Sequence, residues 1–193
     1  MEHAAIVVFA YLLGSIDFGV AVSRFFGVDI YSVGSGNPGT SNVLRTVGKR
    51  AAGLVLAGDA LKGLIAVGIA DVCFGNITAY VAGLAAVSGH IFPIWHRFRG
   101  GKGVATGIGA AIWLEPAVGL VLAVAWVVIV VATKTASIAS LSVMTAYVPG
   151  FAIVGERDAR LWWVAGTAVL VVMRHRANIV RLISGKEHSV EEM

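Results

Sequence analysis

Two short blocks of this chain combine residue types that suit a bound phosphate. The first reads Gly34-Ser35-Gly36-Asn37-Pro38-Gly39-Thr40-Ser41-Asn42 and is followed by Arg45. Glycines permit left-handed backbone, which turns successive N–H groups into one anion-sized concavity. Ser35, Thr40 and Ser41 add hydroxyl donors, and the planar guanidinium of Arg45 matches a phosphate edge. The same composition also makes an ordinary Gly/Asn/Pro turn between helices. The second block, Arg97-Phe98-Arg99-Gly100-Gly101-Lys102-Gly103, opens into a helix expected from Val104. A glycine-rich turn at a helix N-terminus offers backbone N–H groups to an anion, with Lys102 as a point charge. It is not a nucleotide-binding P-loop, because Gly103 rather than Ser or Thr follows Lys102. A basic loop that only sets membrane topology has the same composition.

Three polar pairs accompany these blocks, each spaced so that a helix puts both members on one face. Asp59 and Lys62 lie inside an apolar stretch, where ionisable side chains are costly and turn toward a polar interior. They read as a support for a site, or as an ion pair that only locks helices together. Ser137 and Ser140 open a later apolar segment; His175 and Asn178 close the last one, provided its helix continues past Arg174. Serines in membrane helices commonly serve packing, and a histidine at a helix end commonly sits at the interface. All of these pairs fall at one membrane level, which favours a shared site.

The elements that must hold these groups are membrane helices. Of 193 residues, 58% are hydrophobic and 13% charged, about half the charge of a soluble domain. A span needs about 20 apolar residues, and seven segments qualify or nearly do: 4–26, 51–71, 77–96, 103–114, 116–133, 136–154 and 160–176. The fourth is short. The first lacks a basic leader and exceeds a signal peptide in length, so it is taken as a retained helix. A single cysteine, Cys73, excludes an intramolecular disulfide. The expectation is an all-α, polytopic transmembrane bundle of about seven spans, one domain over residues 1–193.

Charge orients the bundle. Alternating spans leave Arg24, Arg45, Lys49, Arg50, Arg97, Arg99, Lys102, Lys134, Arg174, Arg176, Arg181 and Lys186 on one side, and only Arg157 and Arg160 on the other. The positive-inside rule puts the first side in the cytoplasm, the N-terminus outside and the C-terminus inside. The phosphate-suited blocks then face the cytoplasm.

Four blocks resemble the PlsY family of bacterial acyl-phosphate:glycerol-3-phosphate acyltransferases. They are GSGNPGTSNVLR at 34–45, LAGDALKG at 56–63, GHIFPIWHRFRGGKGVAT at 89–106 and HRANIVRLISGKE at 175–187, with a weaker SIAS at 137–140. Thr40-Ser41 replaces the usual Ala-Thr of the first block, and Tyr31 stands where the family often has arginine. The resemblance implies transfer of a fatty acyl group from acyl phosphate to the 1-hydroxyl of sn-glycerol 3-phosphate, giving lysophosphatidic acid and inorganic phosphate. This is the first acylation of phospholipid synthesis, at the bacterial inner membrane.

The expected catalytic group is His175, Asn178, Lys102 and Ser140, acting by position and charge without an acyl-enzyme. Expected phosphate contacts are Gly34, Ser35, Gly36, Asn37, Thr40, Ser41, Asn42, Arg45, Gly101, Lys102, Gly103, Ser137 and Ser140, with Asp59, Lys62 and Glu187 as supports. The glycerol hydroxyl would attack the acyl carbonyl directly, its proton going to His175 or to a substrate phosphate. Expected partners are acyl phosphate, sn-glycerol 3-phosphate and membrane lipid, with no nucleic acid, no cofactor, no metal and a monomeric chain. Acyltransferases that use acyl-CoA or acyl carrier protein carry His-x-x-x-x-Asp, and none of the five histidines has Asp five positions on. A transporter would show internal repeats around midplane sites, and no repeat is visible.

Overall fold

In a computed structural model, which describes residues 1–190, the chain forms ten α-helices and no strand occurs among the described residues. They are α1 (Glu2–Gly14), α2 (Phe18–Phe25), α3 (Thr40–Thr46), α4 (Lys49–Phe74), α5 (Asn76–Ile91), α6 (Val104–Leu114), α7 (Pro116–Thr133), α8 (Ala136–Ile153), α9 (Asp158–Arg174) and α10 (Arg176–Ile183). Five segments are long and apolar enough to cross a membrane: Glu2–Phe25, Lys49–Phe74, Asn76–His96, Pro116–Thr133 and Ala136–Ile153. The 11 residues of α6 rise about 17 Å, which reaches partway through a core of about 30 Å. The 17 residues of α9 rise about 25 Å and pack against α5 and α8.

Small residues set how closely the helices approach. A Cβ on Gly63 would collide with the Thr106 carbonyl, and one on Gly109 with the Ala60 carbonyl, so α4 and α6 touch backbone to backbone. Gly14 and Gly89 join α1 and α5 in the same reciprocal way, against Ala86 and Tyr11. Between hydrocarbon-solvated helices such close packing supplies the attraction that water would otherwise drive. On the other side, Tyr147 and Phe151 of α8 fill a core with Tyr80, Val87, Ile108 and Val171, and the Tyr147 hydroxyl donates to the Gly107 carbonyl at 2.9 Å.

Two expected helices are broken. The segment 4–26 is interrupted between Gly14 and Phe18, where Asp17 accepts from Val20 N at 3.0 Å and caps α2. A break among apolar helices frees carbonyls that need donors. Lys62 supplies one, donating from Nζ to the Ile16 carbonyl at 2.6 Å while paired with Asp59 at 2.7 Å. The last segment, expected over 160–176, ends at Arg174, and a separate α10 follows. His175 is therefore the junction of two helices, its carbonyl accepting from Ile179 N at 2.9 Å, and it shares the start of α10 with Asn178 rather than the end of α9.

Candidate functional site

The loops from 27–39 and 97–103, the start of α8 and the α9–α10 junction meet at one end of the bundle around a cavity of about 240 Å³. Asn42 builds the first wall. Its Oδ1 accepts from Ser35 N at 2.9 Å and its Nδ2 donates to the Val33 carbonyl at 3.1 Å, so both ends of a buried amide bracket the loop. Gly34 turns there with φ +56°, where a Cβ would strike Asn42. Ser35, Asn37, Thr40, Ser41 and Arg45 line the cavity. Gly34 and Gly36 do not line it; they shape the turn behind it. Asn42, expected as a phosphate contact, lines the cavity as well while its amide holds the loop.

The lysine loop is pinned at four points. Gly100 N donates to the Ile91 carbonyl at 3.2 Å and Gly101 N to the His90 carbonyl at 3.1 Å. Arg174 Nη2 donates to the Gly100 carbonyl at 3.2 Å, and the Tyr31 hydroxyl to the Arg99 carbonyl at 2.7 Å. Tyr31 thus holds the loop by its hydroxyl and carries the Arg99 guanidinium 5.0 Å over its ring. Gly101 packs on the His90 ring and does not line the cavity, whereas Lys102 and Gly103 do. Lys102 makes no hydrogen bond or ion pair within the described residues. Burial pulls its ammonium down to about 8, opposed by Glu187 and reinforced by Arg181, Arg45 and Arg174. A bound anion would reverse that balance.

Opposite stands the hydroxyl and histidine wall. Ser140 Oγ accepts from the Trp126 indole at 3.1 Å, and the buried Ser137 Oγ has no hydrogen-bond partner among the described residues. His175, 2% exposed, donates from Nδ1 to the Val171 carbonyl at 2.8 Å, which leaves Nε2 as the acceptor in the neutral ring. Burial, with Lys102 nearby, lowers its pKa to about 4. Asn178 Nδ2 donates to Glu187 at 2.8 Å, and Arg181 Nε pairs with the same carboxylate at 3.0 Å. Asp59 lines the floor and lies 3.3 Å from His90 Nδ1; Lys62, its partner, is behind the wall.

From this polar end the cavity continues between α4, α6 and α7 along Leu56, Ala60, Ile108, Ile112, Ala123 and Val127. Among the described residues no group of three His, Cys, Asp or Glu side chains could hold a metal ion. Four lining residues escape sequence reasoning. His90 is a lone histidine at a helix end; Trp126 is one aromatic in a wholly apolar helix. Arg181 and His188 were visible only as tail residues, and only the fold brings them to the cavity.

The family model described as glycerol-3-phosphate acyltransferase matches residues 4–185. The chain belongs to the glycerol-3-phosphate acyltransferase family. Glycerol-3-phosphate acyltransferase of Neisseria meningitidis serogroup B is 40% identical over 98% of both chains, and that of Cupriavidus pinatubonensis is 43% identical over 100% of this chain and 98% of its own. The crystal structure of PlsY, an integral membrane glycerol 3-phosphate acyltransferase, in its glycerol 3-phosphate form superposes with a TM-score of 0.93 at 38% identity. It covers 98% of this chain and 96% of that one. The lysophosphatidic acid form gives 0.91 over 98% and 95%. This chain is a helical integral membrane acyltransferase of phospholipid synthesis.

Proposed function

We propose that the acyl donor is acyl phosphate and that the cavity joins it to the 1-hydroxyl of sn-glycerol 3-phosphate, releasing inorganic phosphate. The observation that carries this reading is the cavity's two-part lining. A cationic end with Arg45, Lys102 and Arg181 runs into an arm lined by Leu56, Ala60, Ile108, Ile112, Ala123 and Val127. Two phosphorylated substrates require the first part, and a fatty chain the second.

The hydroxyl oxygen attacks the acyl carbon, the carbonyl-to-phosphate C–O bond breaks, and phosphate leaves with the bonding pair. Charge grows on the leaving oxygen, so Lys102 and Arg45 favour the transition state over bound substrate. Ser35, Ser137 and Ser140 donate to phosphate oxygens, and Glu187 holds Asn178 and Arg181 in place. His175, with Nδ1–H fixed on Val171, accepts a hydrogen bond at Nε2 and orients the hydroxyl. The hydroxyl proton passes to the leaving phosphate, whose basicity rises as the C–O bond breaks. No acyl-enzyme is needed, because the mixed anhydride is already activated. Holding both reactants together supplies a further large share of the rate.

The enzyme is proposed to act as a monomer in the bacterial inner membrane, with this cavity on the cytoplasmic side. The test is purified protein with palmitoyl phosphate and glycerol 3-phosphate, following phosphate and lysophosphatidic acid together. Equal formation of both without nucleotide, CoA or metal, abolished in Lys102→Ala, supports the reading. Lipid product formed from acyl-CoA but not from acyl phosphate overturns it.

A further inference from the structure

Ser15, Ser88, Thr145 and Thr167 each donate to the carbonyl four residues earlier, the usual way a hydroxyl is satisfied within a helix. Ser140 of α8 does not. It is buried, and its one hydrogen bond among the described residues is the one its Oγ accepts from the Trp126 indole, at 3.1 Å. A hydroxyl has one proton to give and two lone pairs to accept with. The indole occupies a lone pair, so the Ser140 proton has no acceptor among the described residues. Ser140 lines the cavity, and an anion bound there would supply the acceptor it lacks.

Trp126 is out of place for its type. Tryptophan in a membrane helix commonly sits at the interface, where its N–H meets water. This one lies about 10 Å of helix inside the Thr133 end of α7, and its N–H turns inward to α8. The residue also lines the cavity, as do Ala123, one turn away, and its neighbour Val127, both part of the apolar arm. The indole therefore stands where the arm meets the polar end, with its N–H on Ser140 and its ring beside the arm.

We propose that Trp126 is a positioning residue for the acyl donor, its indole N–H fixing the Ser140 hydroxyl so that the proton is given to the donor's phosphate. The inference rests on the reading of acyl phosphate as donor, with its chain in the arm. One bond has two effects. It keeps Ser140 Oγ from turning back to the Ala136 carbonyl, the ordinary partner at that spacing. It also polarises the O–H, because a hydroxyl that accepts a hydrogen bond becomes a stronger donor. Hydrogen bonds to a charged oxygen are about twice as strong as neutral ones, and charge grows on this phosphate as it leaves. Trp126 also packs against the core around Tyr147, a role that needs the ring and not the N–H.

Trp126→Phe keeps a ring between α7 and α8 and removes the donor. Its kcat/KM for palmitoyl phosphate is expected to fall about fivefold, the change that one net hydrogen bond gives, with the KM for glycerol 3-phosphate unchanged. Ser140→Ala should lose more. Adding Trp126→Phe to Ser140→Ala should then cost less than about twofold further, since the indole has no hydroxyl left to turn. A loss of the same size in both backgrounds, an equal rise in the KM for glycerol 3-phosphate, or no loss at all overturns the inference and leaves the donor assignment standing. Wild type without turnover on palmitoyl phosphate overturns both. Should Trp126→Phe not fold, the indole proton signal of Trp126 in wild type decides, read by NMR with hexadecylphosphonate, an anion of the same chain length with no acyl group to transfer. The signal should move downfield on binding, because the bond that Ser140 accepts strengthens when its own proton is given to an anion. A signal that stays in place at saturation overturns the inference.

Discussion

At Lys102, burial and the neighbouring guanidinium groups of Arg181, Arg45 and Arg174 act against the ammonium, and only Glu187 acts for it. Its pKa near 8 makes the alkaline limb of activity a direct reading of this residue. Below about pH 8 the empty site holds a charged lysine; above it the charge is lost. Phosphate monoesters become dianions above about pH 6. The kcat/KM for glycerol 3-phosphate, which reports free enzyme and free substrate, is expected to rise through about 6 and fall through 8. Lys102→Arg keeps a charge that does not titrate in this range, so its alkaline limb should vanish even though turnover drops. A limb at 8 that survives in Lys102→Arg assigns it to another group. His175 gives the complementary case. A positioned acceptor that is not the base should cost about 10–100-fold in kcat when replaced in His175→Gln, whereas a true general base contributes up to about 10⁴. A loss beyond that lower range, rescued by added imidazole, would make His175 the base. The residue types at 34–45 and 102–103 are readable as phosphate ligands because donors are dense there. Asn42 has a second role that composition does not show: it lines the cavity while its amide also holds its own loop.

Helix α4 shows what an element contributes. Asp59 and Lys62, both about 2% exposed, close a circuit in which the lysine satisfies the Ile16 carbonyl freed between α1 and α2, and the aspartate also meets His90. Removing one charge leaves the other buried without compensation, a loss of about 3–5 kcal/mol. Asp59→Ala is therefore expected to melt well below wild type in detergent. The double variant Asp59→Ala/Lys62→Met should recover part of the difference, because what remains is one carbonyl without a donor, about 1–3 kcal/mol. A double variant less stable than Asp59→Ala would remove this account of the pair. Much of the helical architecture is legible from apolar length: 116–133 is matched residue for residue by α7, and the ends of 103–114 and 136–154 lie within one residue of α6 and α8. The two breaks are not legible in the same way. The apolar run resumes on both sides of Gly14-Ser15-Ile16-Asp17, so its length reads as one span, and Lys62, 46 residues on, supplies the donor that makes an interruption there tolerable. At His175 the helix stops with no proline or glycine to mark it, so the junction is set by tertiary contacts rather than by local signals.

At the scale of the whole molecule, the loops after α2 and α5, the start of α8 and the segment beyond α9 gather at one end, together with Arg45, Lys102 and Arg181. The other end carries the Gly75 turn, the His3–Thr78 hydrogen bond and the Glu156–Arg160 ion pair. The asymmetry separates the ends by more than a bilayer core, since Lys49 and Cys73 stand about 36 Å apart along α4. That geometry lets the single cysteine report the orientation without any mutation. If the basic end faces the cytoplasm, as the positive-inside rule predicts, the exposed Cys73 lies at the outer surface. A membrane-impermeant maleimide should then label the protein in spheroplasts, and in inverted vesicles only after detergent is added. The reverse pattern would place the phosphate-suited cavity outside the cell. It would also break the link between charge and topology on which the cytoplasmic assignment rests. Labelling of Lys102→Ala by the same protocol should be unchanged. One lysine among twelve basic residues on that side does not set the fold's direction, so a loss of activity in that variant reports chemistry and not a flipped chain.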